Sequence, residues 1–226
     1  MLVLHYTGMK SAEEALERLC DPAAKVSAHY VVEESGAVWS LVPEERRAWH
    51  AGVASWRGAA DINARSIGIE LVNPGHEFGY RAFPAEQMRA LMALARDICG
   101  RRRVPADNVV GHADVAPLRK QDPGELFGWR ALAQHGVGIW PDEQATRPGA
   151  WIMEFGDRND AVRDMQRRFA AYGYGLAPTG VFDDATFATV KAFQRHFRPR
   201  LVDGLADAET QGRLDDLLTQ VGRRLG

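Results

Sequence analysis

His112 and Asp122 stand ten residues apart in the stretch Gly111-His-Ala-Asp-Val-Ala-Pro-Leu-Arg-Lys-Gln-Asp-Pro-Gly124, and Lys120 lies two residues before the carboxylate. Pro117 and Pro123 each remove a backbone donor and fix φ, so neither a regular helix nor a central strand is expected across it. The stretch reads as a shaped loop that presents polar groups. An imidazole and a carboxylate so placed supply two ligands for zinc, which at catalytic sites takes three protein ligands and keeps a fourth position open. His5, near the end of an apolar run, is the candidate third ligand. Two neutral imidazoles and one carboxylate leave a charge of about +1, which favours ionisation of a bound water and polarises a substrate carbonyl. Glu70 interrupts the apolar run Ser66-Ile-Gly-Ile-Glu-Leu-Val72. Desolvating a carboxylate there is costly, so Glu70 is either an ion-paired structural acid or a working one. As a working acid it takes a proton from water and hands it to a leaving amine. Lys120 would then stabilise the oxyanion. On its own the loop also fits a solvated polar turn.

The elements that must position these residues follow from pattern. Leu2–Tyr6 reads as a buried strand ending near Gly8, with His5 at the end where open α/β sheets display functional groups. Ser11, with Glu14 three residues on, starts an amphipathic helix to Cys20. Ser27–Glu33 and Val38–Val42 flank Glu34-Ser35-Gly36 as a hairpin. A helix from Pro84 to Cys99 carries Met88, Leu91, Met92, Ala95 and Ile98 at helical spacing, and Val109-Val110-Gly111 is a short strand delivering His112. The expected class is therefore α/β, a central mixed β-sheet flanked by helices. Gly136, Gly138, Pro141, Pro148 and Gly149 punctuate a stretch without periodicity, which reads as a linker. Beyond it, Gly180-Val-Phe-Asp183-Asp-Ala-Thr186 and Gly204-Leu-Ala-Asp207-Ala-Glu-Thr210 repeat one pattern, with Asp183 and Asp207 as N-caps. This part reads as a small three-helix bundle that binds rather than catalyses. The domain limits are 1–140, a linker at 141–156, and 157–226.

With 226 residues, 46% hydrophobic and 26% charged, the composition is that of a globular protein of one large or two modest domains. A net charge of -2 offers no basic field for nucleic acid and no polybasic membrane signal. No run approaches the roughly 18 apolar residues of a membrane span, and the first residues lack the n-region, h-region and cleavage site of an export signal. Cys20 and Cys99 exclude a disulfide-dense scaffold and leave open whether they are bridged. The oligomeric state is likewise open.

The chain resembles the zinc-dependent N-acetylmuramoyl-L-alanine amidases of the Amidase_2 family, which includes the peptidoglycan-recognition proteins. The resembling motifs are Val3-Leu-His5-Tyr6, Ser27-Ala-His29-Tyr30, Ala48-Trp49-His50-Ala51-Gly52, Asn63, Ser66 through Leu71, and Gly111 through Gly124. The resemblance implies zinc on His5, His112 and Asp122, catalysis by Glu70 and Lys120, and a substrate groove involving His29, Trp49, His50, Ala51 and Asn63. It implies hydrolysis of the amide between N-acetylmuramic acid and L-alanine in peptidoglycan or muropeptides. Residues 157–217 are similar to peptidoglycan-binding domains of the PG_binding_1 type, through Met165-Gln166, Phe169, Gly173-Tyr174, Thr179-Gly180, Phe182-Asp183, Thr186 and Phe193-Gln194. The pairing is most like AmiD-type amidases.

AmpD-like recycling relatives carry an Arg two residues before the position matching Asn63, where it helps hold a diaminopimelate carboxylate. This chain has Asp61 there, and an acid does not pair a carboxylate; Arg57 and Arg65 are the neighbouring cations. Domain content implies the cell envelope, with the periplasm expected and the cytoplasm as alternative. A non-catalytic peptidoglycan-recognition protein is the competing function, and a zinc peptidase acting on D-Ala-D-Ala-type bonds of the same polymer is a third. Residues 1–150 are expected to act on soluble fragments without the remainder. His76, His135 and His196 fit no constellation and are assigned solvated or structural roles.

Overall fold

The apolar run at the start of the chain becomes the centre of a sheet. The computed structural model describes residues 1–225, with side chains through residue 223. Strands β1 (Leu2–Tyr6), β2 (Tyr30–Val32), β3 (Val38–Ser40), β4 (Ile67–Leu71) and β5 (Val109–Gly111) form one sheet in the order β3-β2-β4-β1-β5. All neighbours are parallel except the edge pair β2 and β3. The hairpin is shorter than the sequence suggests, but its Val32↔Val38 pairing lies where expected.

Residues alternate between the two faces of a strand, and β1 is buried on both. Leu2 and Leu4 pack into one cluster with Leu91, Ala95 and Ile98 of a long helix. Val3 faces the opposite way, into a cluster with Val162, Phe169, Phe193 and Leu217 from the far end of the chain. His5 lies two residues after Val3 and shares its face. Glu70 is its register partner on β4 and points the same way, while Gly111 pairs with Leu4 so that His112 emerges beside His5.

The helices are α1 (Ala12–Cys20), the short α2 (Gly75–Phe78), α3 (Ala85–Arg102), the single turn α4 (His112–Val115), α5 (Trp129–Gln134), α6 (Asp160–Tyr172), α7 (Asp184–Phe197) and α8 (Ala208–Leu225). Ser11 caps α1 by accepting from Glu14 N, and Glu14 reaches back to Lys10 N rather than to the cap residue itself. The expected helix at 84–99 runs three residues further. Glu44 binds both Arg101 and Arg102 and holds the extra turn, which stops where Arg103 turns left-handed (φ 49°) before Pro105. Gln87, buried in α3, donates to the carbonyls of Val32 and Val72 and so fastens the helix to two strand ends. Cys20 and Cys99 are both free.

Helices α6, α7 and α8 form the expected C-terminal unit, with Asp183 and Asp207 capping α7 and α8. The repeat has a structural meaning. Gln166 donates to Val181 O and Thr186 Oγ1 and accepts from Gly180 N; Gln194 donates to Leu205 O and Thr210 Oγ1 and accepts from Gly204 N. One buried amide thus ties each helix to the loop that leads into the next. The stretch 141–156 has no helix or strand, yet it is fastened along α8. Asp142 N reaches Asp216, Arg147 N reaches Ala208 O, and Met153 bridges Ala206.

Candidate metal centre and cleft

Two strand ends and the loop after the second deliver the centre. His5 Nδ1, His112 Nδ1 and Asp122 Oδ2 lie 3.0 Å from one another, and all three residues are buried. Asp122 reaches this point because Ala113 N donates to its carbonyl (2.9 Å), closing the loop back onto the start of α4. Proline shapes the loop as expected: the helical turn ends at Val115, before Pro117.

The outer faces of the imidazoles decide what the centre holds. His112 Nε2–H donates to Ala51 O at 3.0 Å, which leaves Nδ1 of the neutral ring as a bare lone pair. His5 Nε2–H points at His50 Nδ1 (3.0 Å), His50 Nε2–H at Ser66 Oγ (3.2 Å), and the Ser66 hydroxyl donates to Ile62 O (2.6 Å). Read in that direction, every group in the relay has one partner and His5 Nδ1 is also bare. Two lone pairs and a carboxylate oxygen then face each other with no proton between them. A proton bridges only two such atoms, whereas a cation faces all three. Two imidazoles and a carboxylate, oriented by outer hydrogen bonds, are a donor set that could hold a divalent metal ion.

The electrostatics agree. Burial, reinforced by His112, pushes His5 down to about 4, so it stays neutral near pH 7. Burial and the neighbouring imidazoles hold His50 well below the ordinary histidine value. Burial alone would raise the Asp122 carboxyl; positive charge on the side of His112 and His5 outweighs it and holds the group below the usual carboxylate range, and with both rings neutral that charge must come from a cation between them. Glu70 goes the other way. Burial, and then the charge of Asp122, push its carboxyl well above the usual range despite Lys120. Its Oε2 finds no hydrogen-bond partner among the described residues.

The centre opens into a cleft of about 550 Å³ lined by Glu70, Lys120, Trp49, His50, Arg18 and Tyr6, among others. Lys120 and Arg18 are the cations of its wall. Trp49 is half exposed, with the Arg47 guanidinium 4.1 Å from its ring centre. Trp49 and His50 thus line the cleft as the sequence suggests. His29, Ala51 and Asn63, also expected there, are buried and do not line the cleft. Asn63 Oδ1 accepts from His50 N and Ala51 N and so fixes the turn, while Ala51 lends only its carbonyl. His29 accepts from Gly68 N and donates to Arg46 O. Gly68 must lack a side chain, since a Cβ there would stand 2.5 Å from His50 Cγ.

Arg119 donates to Ala51 O at 3.1 Å and also to Val53 O, bracing the carbonyl that orients His112. His76 links Tyr6 to Glu125 and stacks on Tyr80. Arg57, a candidate for pairing a substrate carboxylate, is taken by Asp107 (2.6 Å), and Asp61 is paired with Arg47 (2.7 Å). Neither these nor Arg65 lines the cleft. The adjacency of Ser66 to an apolar strand carrying Gly68 and Glu70 was the only available hint of the relay.

Two imidazoles and a carboxylate that could hold a metal ion, with a buried acid of raised proton affinity and a lysine in the same open cleft, fit a hydrolase. Comparison with known proteins narrows this. Residues 1–125 match the family described as N-acetylmuramoyl-L-alanine amidase, and residues 158–214 match a peptidoglycan binding domain. The chain is 40% identical over 236 aligned positions to the N-acetylmuramoyl-L-alanine amidase AmiD of Escherichia coli (strain K12), covering 99% of this chain and 83% of the relative. The structure of that amidase with anhydro-N-acetylmuramic acid-L-Ala-D-γ-Glu-L-Lys superposes with a TM-score of 0.85, covering 98% of this chain and 89% of the other. AmpDh3 of Pseudomonas aeruginosa gives a TM-score of 0.84 at 33% identity, over 98% and 92% of the two chains. The chain belongs to the N-acetylmuramoyl-L-alanine amidase family.

Proposed function

We propose that the protein hydrolyses the amide bond between N-acetylmuramic acid and L-alanine in peptidoglycan or muropeptides, with zinc held by His5, His112 and Asp122. The observation that carries this reading is the meeting of two bare imidazole nitrogens and a carboxylate oxygen at 3.0 Å, beside the unpartnered oxygen of Glu70. Bound there, zinc supplies a Lewis acid that makes water nucleophilic near neutral pH. Glu70, whose proton affinity is raised by burial, would accept a proton from the attacking water and return it to the leaving L-alanine nitrogen. Lys120, on the same wall, stabilises negative charge developing on the amide oxygen. Trp49 offers a flat apolar face to the sugar, and Arg18 an exposed cation to the carboxylates of the stem peptide.

The two matched families mark a cell-envelope enzyme, and the periplasm is the proposed compartment. No helix among the described residues is long and apolar enough to cross a membrane. The test is digestion of a soluble muropeptide followed by mass spectrometry. Release of an intact stem peptide beginning at L-Ala, abolished by a chelator and restored by zinc, is expected. Activity in a metal-free preparation overturns the metal reading, and cleavage within the stem peptide overturns the bond assigned. Turnover that Glu70→Gln removes while zinc stays bound excludes a non-catalytic recognition protein.

A further inference from the structure

His196 belongs to α7 of the C-terminal unit, yet its Nδ1 lies 2.7 Å from Asp114 Oδ2, two residues beyond the ligand His112. Asp114 is 2% exposed and accepts two more hydrogen bonds. Gly111 N, from the residue just before His112, donates to Oδ2 at 2.7 Å, and the hydroxyl of Tyr174 donates to Oδ1 at 2.7 Å. The His196 ring is itself clamped, stacked on Trp129 of α5 with centroids 3.6 Å apart and planes 21° from parallel. One residue earlier in α7, Arg195 donates to Gln121 Oε1 at 2.8 Å, next to the ligand Asp122. Both ligand-bearing segments of the loop are therefore gripped by consecutive residues of α7. They are also joined to each other by the Ala113 N to Asp122 O bond, and Gly111 packs so tightly that a Cβ would stand 2.8 Å from Pro123 Cδ.

A buried carboxylate with three donors is stable, but one stripped of two of them carries an uncompensated desolvation cost. Removing the His196 and Tyr174 contacts together would leave Asp114 in that state, on the same single helical turn as His112. Groups that orient metal ligands from outside typically change metal affinity by about 10–100-fold when lost.

We propose that the C-terminal helical unit is part of the scaffold of the metal centre. His196 and Tyr174, acting through Asp114, and Arg195, acting through Gln121, are positioning residues that hold His112 and Asp122 face to face. This rests on the reading of His5, His112 and Asp122 as the metal site. It changes the expectation that residues 1–150 suffice for soluble fragments, since those fragments still need an ordered metal centre.

The test uses the full chain. His196→Phe keeps a stacking ring and removes the donor, and His196→Asn places an amide N–H near the lost Nδ1. Zinc affinity is measured by competition with a chelator, kcat and KM on a soluble muropeptide, and binding by pull-down on insoluble peptidoglycan. For His196→Phe we expect zinc affinity to fall about tenfold or more and kcat to fall, with KM and pull-down near wild type and substantial recovery in His196→Asn. Wild-type zinc affinity and kcat in a folded His196→Phe overturn the proposal, as does a defect confined to wall binding. Tyr174→Phe, which deletes a single hydroxyl, serves if His196→Phe does not fold; an unchanged zinc affinity there also overturns it. Wild-type protein that binds no zinc, or Asp122→Asn that binds it normally, would instead defeat the metal reading.

Discussion

On the proposed reading His5, His112 and Asp122 hold the metal while Glu70 and Lys120 act on the substrate, and substitution separates the two groups. Asp122 contributes the oxygen that faces both imidazole nitrogens. Asp122→Asn replaces that anionic donor by a neutral amide, and zinc content measured by atomic absorption is expected to drop from stoichiometric to a small fraction. Lys120→Met leaves all three donor atoms in place, so zinc content is expected to hold while kcat falls by about 10²–10³ with little change in KM. If both variants lose zinc equally, Lys120 supports the site rather than the reaction. Gly68 offers a probe of the relay behind His5. A Cβ at residue 68 would stand 2.5 Å from His50 Cγ, so Gly68→Ala must displace the ring that receives the His5 Nε2 proton. We predict a stability loss of about 1–3 kcal/mol together with weaker zinc retention, measured by urea unfolding and chelator competition. A variant that is destabilised but holds zinc normally would show that His50 fills space without orienting His5.

At the level of elements, much was legible because the signals are local. The apolar run of β1, the acid inside β4 and the Ser11 cap each depend on a few neighbouring residues, and each element formed near its expected limits. The end of α3 was misjudged because what extends it lies far away. Glu44 follows the hairpin, and its carboxylate binds Arg101 and Arg102 more than fifty residues on. The Arg101 hydrogen bond contributes most to lowering Glu44 to about 2; burial opposes it, and Arg102 and Tyr30 assist. In the unfolded chain the group titrates near 4.5. A folded value below the unfolded one means the stabilisation is complete above pH 4.5 and is lost as pH falls toward 2. Glu44→Gln is therefore expected to cost about 1–2 kcal/mol at pH 7, the half-exposed arginines being partly screened by solvent. Urea midpoints of wild type and variant should converge on titration from pH 5 to pH 2. A gap that stays constant across that range would mean the loss is one of packing rather than charge.

At the scale of the whole molecule, what the sequence concealed was the joining of its two halves. His196 looked like an ordinary polar residue near a helix end, and its partner Asp114 lies 82 residues away, in a loop already accounted for by its ligands. No spacing rule connects them, because the contact exists only once α7 has packed beneath the loop. Trp56 shows the same limit: it packs edge-on against Tyr172 and Tyr174, and the backbone N–H of its neighbour Arg57 donates to the Gly173 carbonyl. Val3 at the centre of the sheet and Phe193 at the centre of the bundle share one apolar cluster. Halves joined by a tether would unfold separately, whereas halves that share a core and a buried carboxylate lose both together. We therefore predict one calorimetric transition whose calorimetric and van't Hoff enthalpies agree. Zinc bound at His5 should stabilise the C-terminal helices as well as the sheet, by about 2.7 kcal/mol at one hundred times its dissociation constant. Tryptophan fluorescence and helix circular dichroism, followed during the same zinc titration, should shift their midpoints together. A helical signal that melts at a zinc-independent temperature would show that the bundle folds by itself, and that the contacts at Asp114 form too weakly to couple it to the metal.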